Sequence, residues 1–328
     1  MKLKTTGFIL IISILLLFTA SSSEDGFDLD EIDYRQEMRD FVQRISFYGK
    51  SDNRDFIIIP QNGQELLTLN GEAGGVPAQT YIEAIDGVGR EDLFYGYSGD
   101  NKSTPADANQ YMIPYLKLAE QLGIKVIVTD YCSSSGKMDR SYAENREEGF
   151  VSFAAHRRAL DSIPLYPESP SGENQRDIYS LSDMDNFLYL INPEGFASRQ
   201  QMIEEIGTTN YDLIIVDLFD NDGFRLTADE VEKLKKKNNG AHRLVIAYMS
   251  IGEVEDYRYY WRDEWYENPP AWFEKENPHW KGNYKVEYWD PQWQEIILGS
   301  DDAYLDKVLQ SGFDGVYLDI IDAFDYFE

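Results

Sequence analysis

Short apolar runs that each end on a polar residue recur along the chain, separated by segments of helical character, and no other feature restricts the fold as strongly. Residues 56–59 stop at Pro60, with Gln61 and Asn62 just beyond; residues 85–89 lead to Glu91, 125–129 to Asp130, and 150–155 to His156. The later runs, 187–191, 211–216, 244–247 and 315–318, lead to Asn192, Asp217, Tyr248 and Asp319. Helices are expected over 36–47, 78–84, 106–122, 140–148, 197–206, 227–237 and 303–310, the sixth opening with a Thr-x-x-Glu capping pattern. Strand alternating with helix in this way predicts an α/β protein, a (β/α)8 TIM barrel, in which strand-end side chains converge on one mouth. The chain opens with a helix and stops within a turn of its last strand, so the N-terminal helix is expected to fill the last helix position.

Residues 1–22 combine Lys2 and Lys4, an apolar run and a small-residue stretch, the pattern of a secretory signal too short to serve as a membrane span. An acidic linker is expected over 23–34 and a single barrel domain over 35–328. Export without stable membrane insertion, to the outside, the periplasm or the cell surface, follows as an expectation. The net charge of -29 opposes nucleic-acid binding and favours cationic partners. Cys132 is the sole cysteine, which rules out an internal disulfide, and the three histidines stand far apart in sequence. Neither a metal nor a cofactor is expected.

Some acids must follow strands by chance in so acidic a chain, and loop hydrogen bonding competes with a functional role at each strand end. Asn62, Asp130 and Asn192 are candidates for substrate contact on position alone. Residues 256–293 are dense in Tyr and Trp, whose rings stack on the apolar faces of sugars. They also suit a satellite core beneath a long loop, and one or two exposed rings would make a binding platform.

Three stretches, YMSIGEVEDYRYYW (248–261), NPHWKGNYKVEYWDPQW (277–293) and GFDGVYLDIIDAFDYFE (312–328), resemble glycoside hydrolase family 114, the endo-alpha-1,4-polygalactosaminidases. RDFIIIPQNGQELL (54–67) and AIDGVGREDLFYGY (84–97) are similar to parts that come later in that family, so the chain resembles a circular permutant. Some relatives bear a cysteinyl-tRNA synthetase-like label, which the negative charge opposes.

The resemblance implies a catalytic pair, Asp319 and Glu91, with Asp319 ionised and Glu91 the acid. It assigns Asp217, Tyr248, Glu253, Arg258 and Asp322 to substrate positioning, with Glu253 either a rival catalytic acid or a partner of Arg258. The implied substrate is a polysaccharide containing galactosamine, whose free amines would suit an acidic cleft. A carbohydrate-binding protein without catalysis and a glycosidase for another glycan remain alternatives.

Overall fold

A computed structural model describes residues 32–220 and 222–328. The expected signal, 1–22, and most of the linker, 23–34, lie outside the described residues. The linker yields to helix sooner than expected. Asp33 caps the first helix, its carboxylate accepting from the Gln36 amide at 2.9 Å, and that helix runs Tyr34–Asp52. The Thr227 capping box forms as expected and opens helix Ala228–Leu234.

Numbered among themselves, the parallel strands are β1 (Ile57–Pro60), β2 (Gly87–Glu91), β3 (Lys125–Tyr131), β4 (Val151–Ala155), β5 (Phe187–Leu190), β6 (Leu213–Asp217), β7 (Leu244–Ser250) and β8 (Gly315–Asp319). Five form one parallel sheet in the order β1-β8-β7-β6-β5, and β2-β3-β4 form a second. A parallel bridge from Gln61 to Gly89 joins β1 to β2, and Phe153 of β4 packs on Phe187 of β5 with ring centroids 5.8 Å apart. Parallel strands covered on both faces must be apolar on both, which is why runs such as Ile57-Ile58-Ile59 and Leu213-Ile214-Ile215 show no alternation. Both runs are buried in a single core.

The five-stranded sheet is curled. Its edge strands would stand roughly 19 Å apart if it were flat, yet the Tyr189 hydroxyl of β5 donates to Gln61 Oε1, just past β1, at 2.9 Å. The first helix lies between the helix that follows β1 and the one that precedes β8. Its Ser46 hydroxyl donates to the Ala84 carbonyl at 2.6 Å, and its Tyr48 hydroxyl to Asp306 Oδ1 at 2.6 Å.

Two additions interrupt the alternation. After β2 a hairpin pairs Tyr95–Gly96 with Gly99–Ser103. After β7 the aromatic-rich segment forms its own antiparallel sheet from Glu253–Glu255, Phe273–Glu276 and Asn283–Val286. Most of its rings join the main core rather than a separate satellite, with Trp265, Trp272, Tyr288 and Trp293 buried in it, while Trp280 is 56% exposed.

Candidate active site

Parity along β8 and β2 brings the first pair of carboxyls to one rim. Side chains two apart on a strand share a face. Tyr317 and Asp319 therefore both face the interior, as do Gly89 and Glu91. The Tyr317 hydroxyl rests against Gly89, where a Cβ would lie 2.1 Å from it. One step further along each strand come Asp319 and Glu91, which end their strands on the same rim.

Each carboxyl is held by donors. Asp319 accepts from the Tyr248 hydroxyl at 2.6 Å and from the Ile320 amide at 2.8 Å. Glu91 accepts from Gln61 Nε2 at 2.6 Å and from the Tyr131 hydroxyl, while Asn62 Oδ1 accepts from the Glu91 amide at 3.2 Å. Asn62 reaches that amide from a left-handed backbone with φ of 62°. Tyr189 donates to the Gln61 carbonyl oxygen, which orients the Gln61 amide nitrogen towards Glu91. Beneath them the buried Tyr317 hydroxyl has no hydrogen-bond partner among the described residues.

Burial raises both carboxyl pKa values, but their surroundings differ. Asp319 is pushed up to about 8, first by desolvation and then by the Glu91 charge, with Asp322 adding to it and the Tyr248 hydrogen bond opposing. Glu91 is raised by desolvation, against which the Tyr131 hydrogen bond and the Arg158 and Arg90 charges act. Both carboxyls therefore hold a proton more tightly than exposed carboxyls do, and neighbouring carboxylates add to the rise at Asp319. Glu91 and Asp322 add to the rise at Asp319, while at Glu91 the Asp92 charge adds to the rise and the Arg158 and Arg90 charges oppose it. Asp322, half-buried in the turn after β8, is raised to about 6 by desolvation and by Asp325.

Other expected site residues are engaged elsewhere. Asp130 falls inside β3 because that strand continues to Tyr131, which turns Asp130 outwards and brings Tyr131 inwards. Fully buried, it accepts from the Phe94 and Tyr95 amides, the Ser141 hydroxyl at 2.6 Å and Asn145 Nδ2 at 3.0 Å, leaving no capacity for substrate. Glu253 is 1% exposed in the insertion's sheet and accepts from Asn277 at 2.8 Å and Asn283 at 3.3 Å. It is neither a rival acid nor the partner of Arg258. That partner is Glu255, whose Oε2 accepts from Arg258 Nε at 2.5 Å.

Arg258 also donates to both oxygens of Asp217 at 2.8 Å, so the two form a buried ionic cluster with Glu255 rather than free substrate contacts. Asn192 donates to the Ala159 carbonyl and pins the loop after β4. Tyr248 spends its hydroxyl on Asp319. His156 meets Ser162 at 3.2 Å. Burial pushes the Cys132 thiol up to about 12, away from the thiolate a nucleophile needs. No group of His, Cys, Asp and Glu among the described residues is arranged to hold a metal ion.

Tyr131, Tyr189 and Tyr317 do not figure among the strand-end candidates, although Tyr189 and Tyr317 lie within apolar strand runs and Tyr131 follows Asp130 directly. Tyr317 shares the parity of the acid two residues on, and a polar-tipped ring with that parity is the signal that finds it.

A curled parallel sheet with strand-end carboxyls gathered at one rim is the class that this fold and site define. Residues 191–327, less than half of the chain, match the model for glycoside-hydrolase family GH114. The match includes Asn192, Asp217, Tyr248, Glu253, Arg258, Asp319 and Asp322 but stops short of Asn62, Glu91 and Asp130. An uncharacterised protein of Methanocaldococcus jannaschii is 43% identical over 181 residues, which cover 54% of this chain and 49% of the relative. One from Deinococcus radiodurans is 44% identical over 125 residues, covering 38% of each chain. Another, from Thermotoga maritima, is 40% identical over 122 residues, covering 37% of this chain and 36% of its own. The matched segments thus span half or less of these relatives.

Proposed function

We propose that the chain is an exported glycoside hydrolase that cuts within an α-1,4-linked polysaccharide containing galactosamine, with Asp319 and Glu91 as the catalytic pair. The observation that carries this reading is the pair of strand-end carboxyls on one rim, each held by hydroxyl or amide donors, with Asp319, pushed up to about 8, as the proposed proton donor. Cleaving a glycosidic bond requires a protonated carboxyl to assist the leaving oxygen and an ionised one to act as nucleophile or to activate water. Tyr248 orients Asp319, Gln61 and Tyr131 orient Glu91, and Asp322 extends the acidic rim.

The eight parallel strands are read as a closed barrel. The Gln61–Gly89 bridge, the Phe153–Phe187 packing and the Tyr189–Gln61 hydrogen bond across the curled sheet support this. A helix at the start standing where the last one would be supports a circularly permuted order. The net charge of -29 favours a polymer with free amines. Export rests on residues 1–22; among the described residues no helix is long and apolar enough to cross a membrane. The test is release of reducing ends from α-1,4-linked polygalactosamine and from its N-acetylated form, with a neutral α-1,4-glucan as control. Turnover of the glucan alone would overturn the substrate, and binding of the polymer without turnover would overturn the enzyme.

A further inference from the structure

The loop after β4 sends a cation to the Glu91 side of the site from outside the family-matched segment. Arg158 stacks on the Tyr131 ring, its guanidinium carbon 3.8 Å from the centroid. The Tyr131 hydroxyl in turn donates to Glu91. The same guanidinium forks onto Asp92, the residue after Glu91, at 2.8 and 3.3 Å. Asp92 is held in a left-handed conformation with φ of 59°, a backbone state that needs support from its surroundings. Arg158 Nε reaches Asp100 at 2.8 Å and Nη2 reaches the Gly96 carbonyl at 3.1 Å, so one side chain ties the end of β2 and the following hairpin to the end of β4.

We propose that Arg158 is a positioning residue for Glu91: stacked on Tyr131 and forked onto Asp92, it fixes the two groups that flank the carboxyl and sets a positive charge beside it. This rests on the catalytic reading of the pair, but the geometry acts on Glu91 whatever the reaction. Arg90 of its own strand, Asp92 just past its end, Tyr131 of β3 and Tyr317 and Asp319 of β8 also face Glu91 electrostatically. Tyr189 of β5 and Asp322 of the last turn complete that set. Arg158 supplies the cation that comes from a different strand end, and it acts against the desolvation of Glu91.

The test is carbon-13 NMR titration of glutamate carboxyls in the full chain, with Glu91 assigned by the loss of its signal in E91Q. R158Q should raise the Glu91 midpoint by about one pH unit, the effect of removing a nearby opposite charge. R158K, which keeps the charge but loses the fork, should hold the midpoint within a few tenths while kcat falls about tenfold. An unchanged midpoint in R158Q, or a full-unit rise in R158K, would overturn the proposal. R158K alone decides the matter if R158Q does not fold. The titration needs no turnover, so failure of the hydrolase reading, seen as an inactive wild type, is distinct from failure here.

Discussion

The Tyr189 hydroxyl donates to the Gln61 carbonyl oxygen at 2.9 Å, a bond between the two edge strands of one parallel sheet that lies a single hydrogen bond from Glu91. The contact that gathers the sheet thus also orients a ligand of the carboxyl. Y189F removes the donor and lets the Gln61 amide turn its oxygen towards Glu91. Loss of this buried bond should cost about 1–2 kcal/mol in urea unfolding and lower kcat more than it raises KM. Unchanged stability and kcat would show the bond to be incidental.

Tyr317 and Gly89 are matched in size. G89A would place a methyl group 2.1 Å from the Tyr317 hydroxyl, in a core with nowhere for the ring to move. The expected loss is about 1–3 kcal/mol. Y317F removes the clashing oxygen, so the double variant G89A/Y317F should recover part of the loss, a coupling that a thermodynamic cycle reads directly.

The Asp319 proton sets the alkaline limit of activity. Burial and the Glu91 charge push Asp319 up to about 8, and once this proposed proton donor ionises it can no longer assist the leaving oxygen. kcat/KM should therefore fall tenfold per pH unit above about 8. A profile flat to pH 9.5 or so would separate the proton from catalysis.

The same shift has a stability consequence of fixed sign. The folded pKa of about 8 exceeds the ordinary value of 3.8, so this group's stabilisation is full below 3.8 and is lost as pH rises through 8. D319N escapes that loss. Its Tm should match wild type at low pH, rise above it by several degrees as pH increases, and keep a constant lead above about 8. A lead independent of pH would contradict the burial argument.

Arg258 neutralises two buried carboxylates, Asp217 and Glu255. R258A leaves both unpaired and should cost about 3–5 kcal/mol in chemical unfolding. R258K should recover little, since a lysine does not reproduce the fork.

The strand-helix alternation was legible because fully buried parallel strands write themselves as continuous apolar runs. The runs ending at Asp319 and Asp217 put those residues at strand ends, as expected, whereas β7 continues two residues past Tyr248 to Ser250. Asp130 misled because the position after VIVT looks like a strand end, while one further residue of strand reverses which side faces in. Glu253 misled for a related reason: β7 reaches Ser250, and the chain then enters a separate antiparallel sheet, so nearness in sequence is not nearness to the mouth. The polar tips that hold Glu91 belong to Tyr131 of β3 and to Gln61 just past β1, on either side of β2, and only the pairing of those neighbouring strands brings them to it. Arg158 could not be found at all from spacing, because its partners Asp92 and Tyr131 are remote in sequence and its contacts Gly96 and Asp100 sit in a hairpin that the runs do not announce.

The most direct test compares wild type, D319N and E91Q for reducing-end release from α-1,4-linked polygalactosamine at a pH below 8, after each variant is shown to be folded. The account predicts measurable turnover by wild type and a loss of about 10²–10⁴-fold in each variant. Either variant turning over the polymer at the wild-type rate would contradict it.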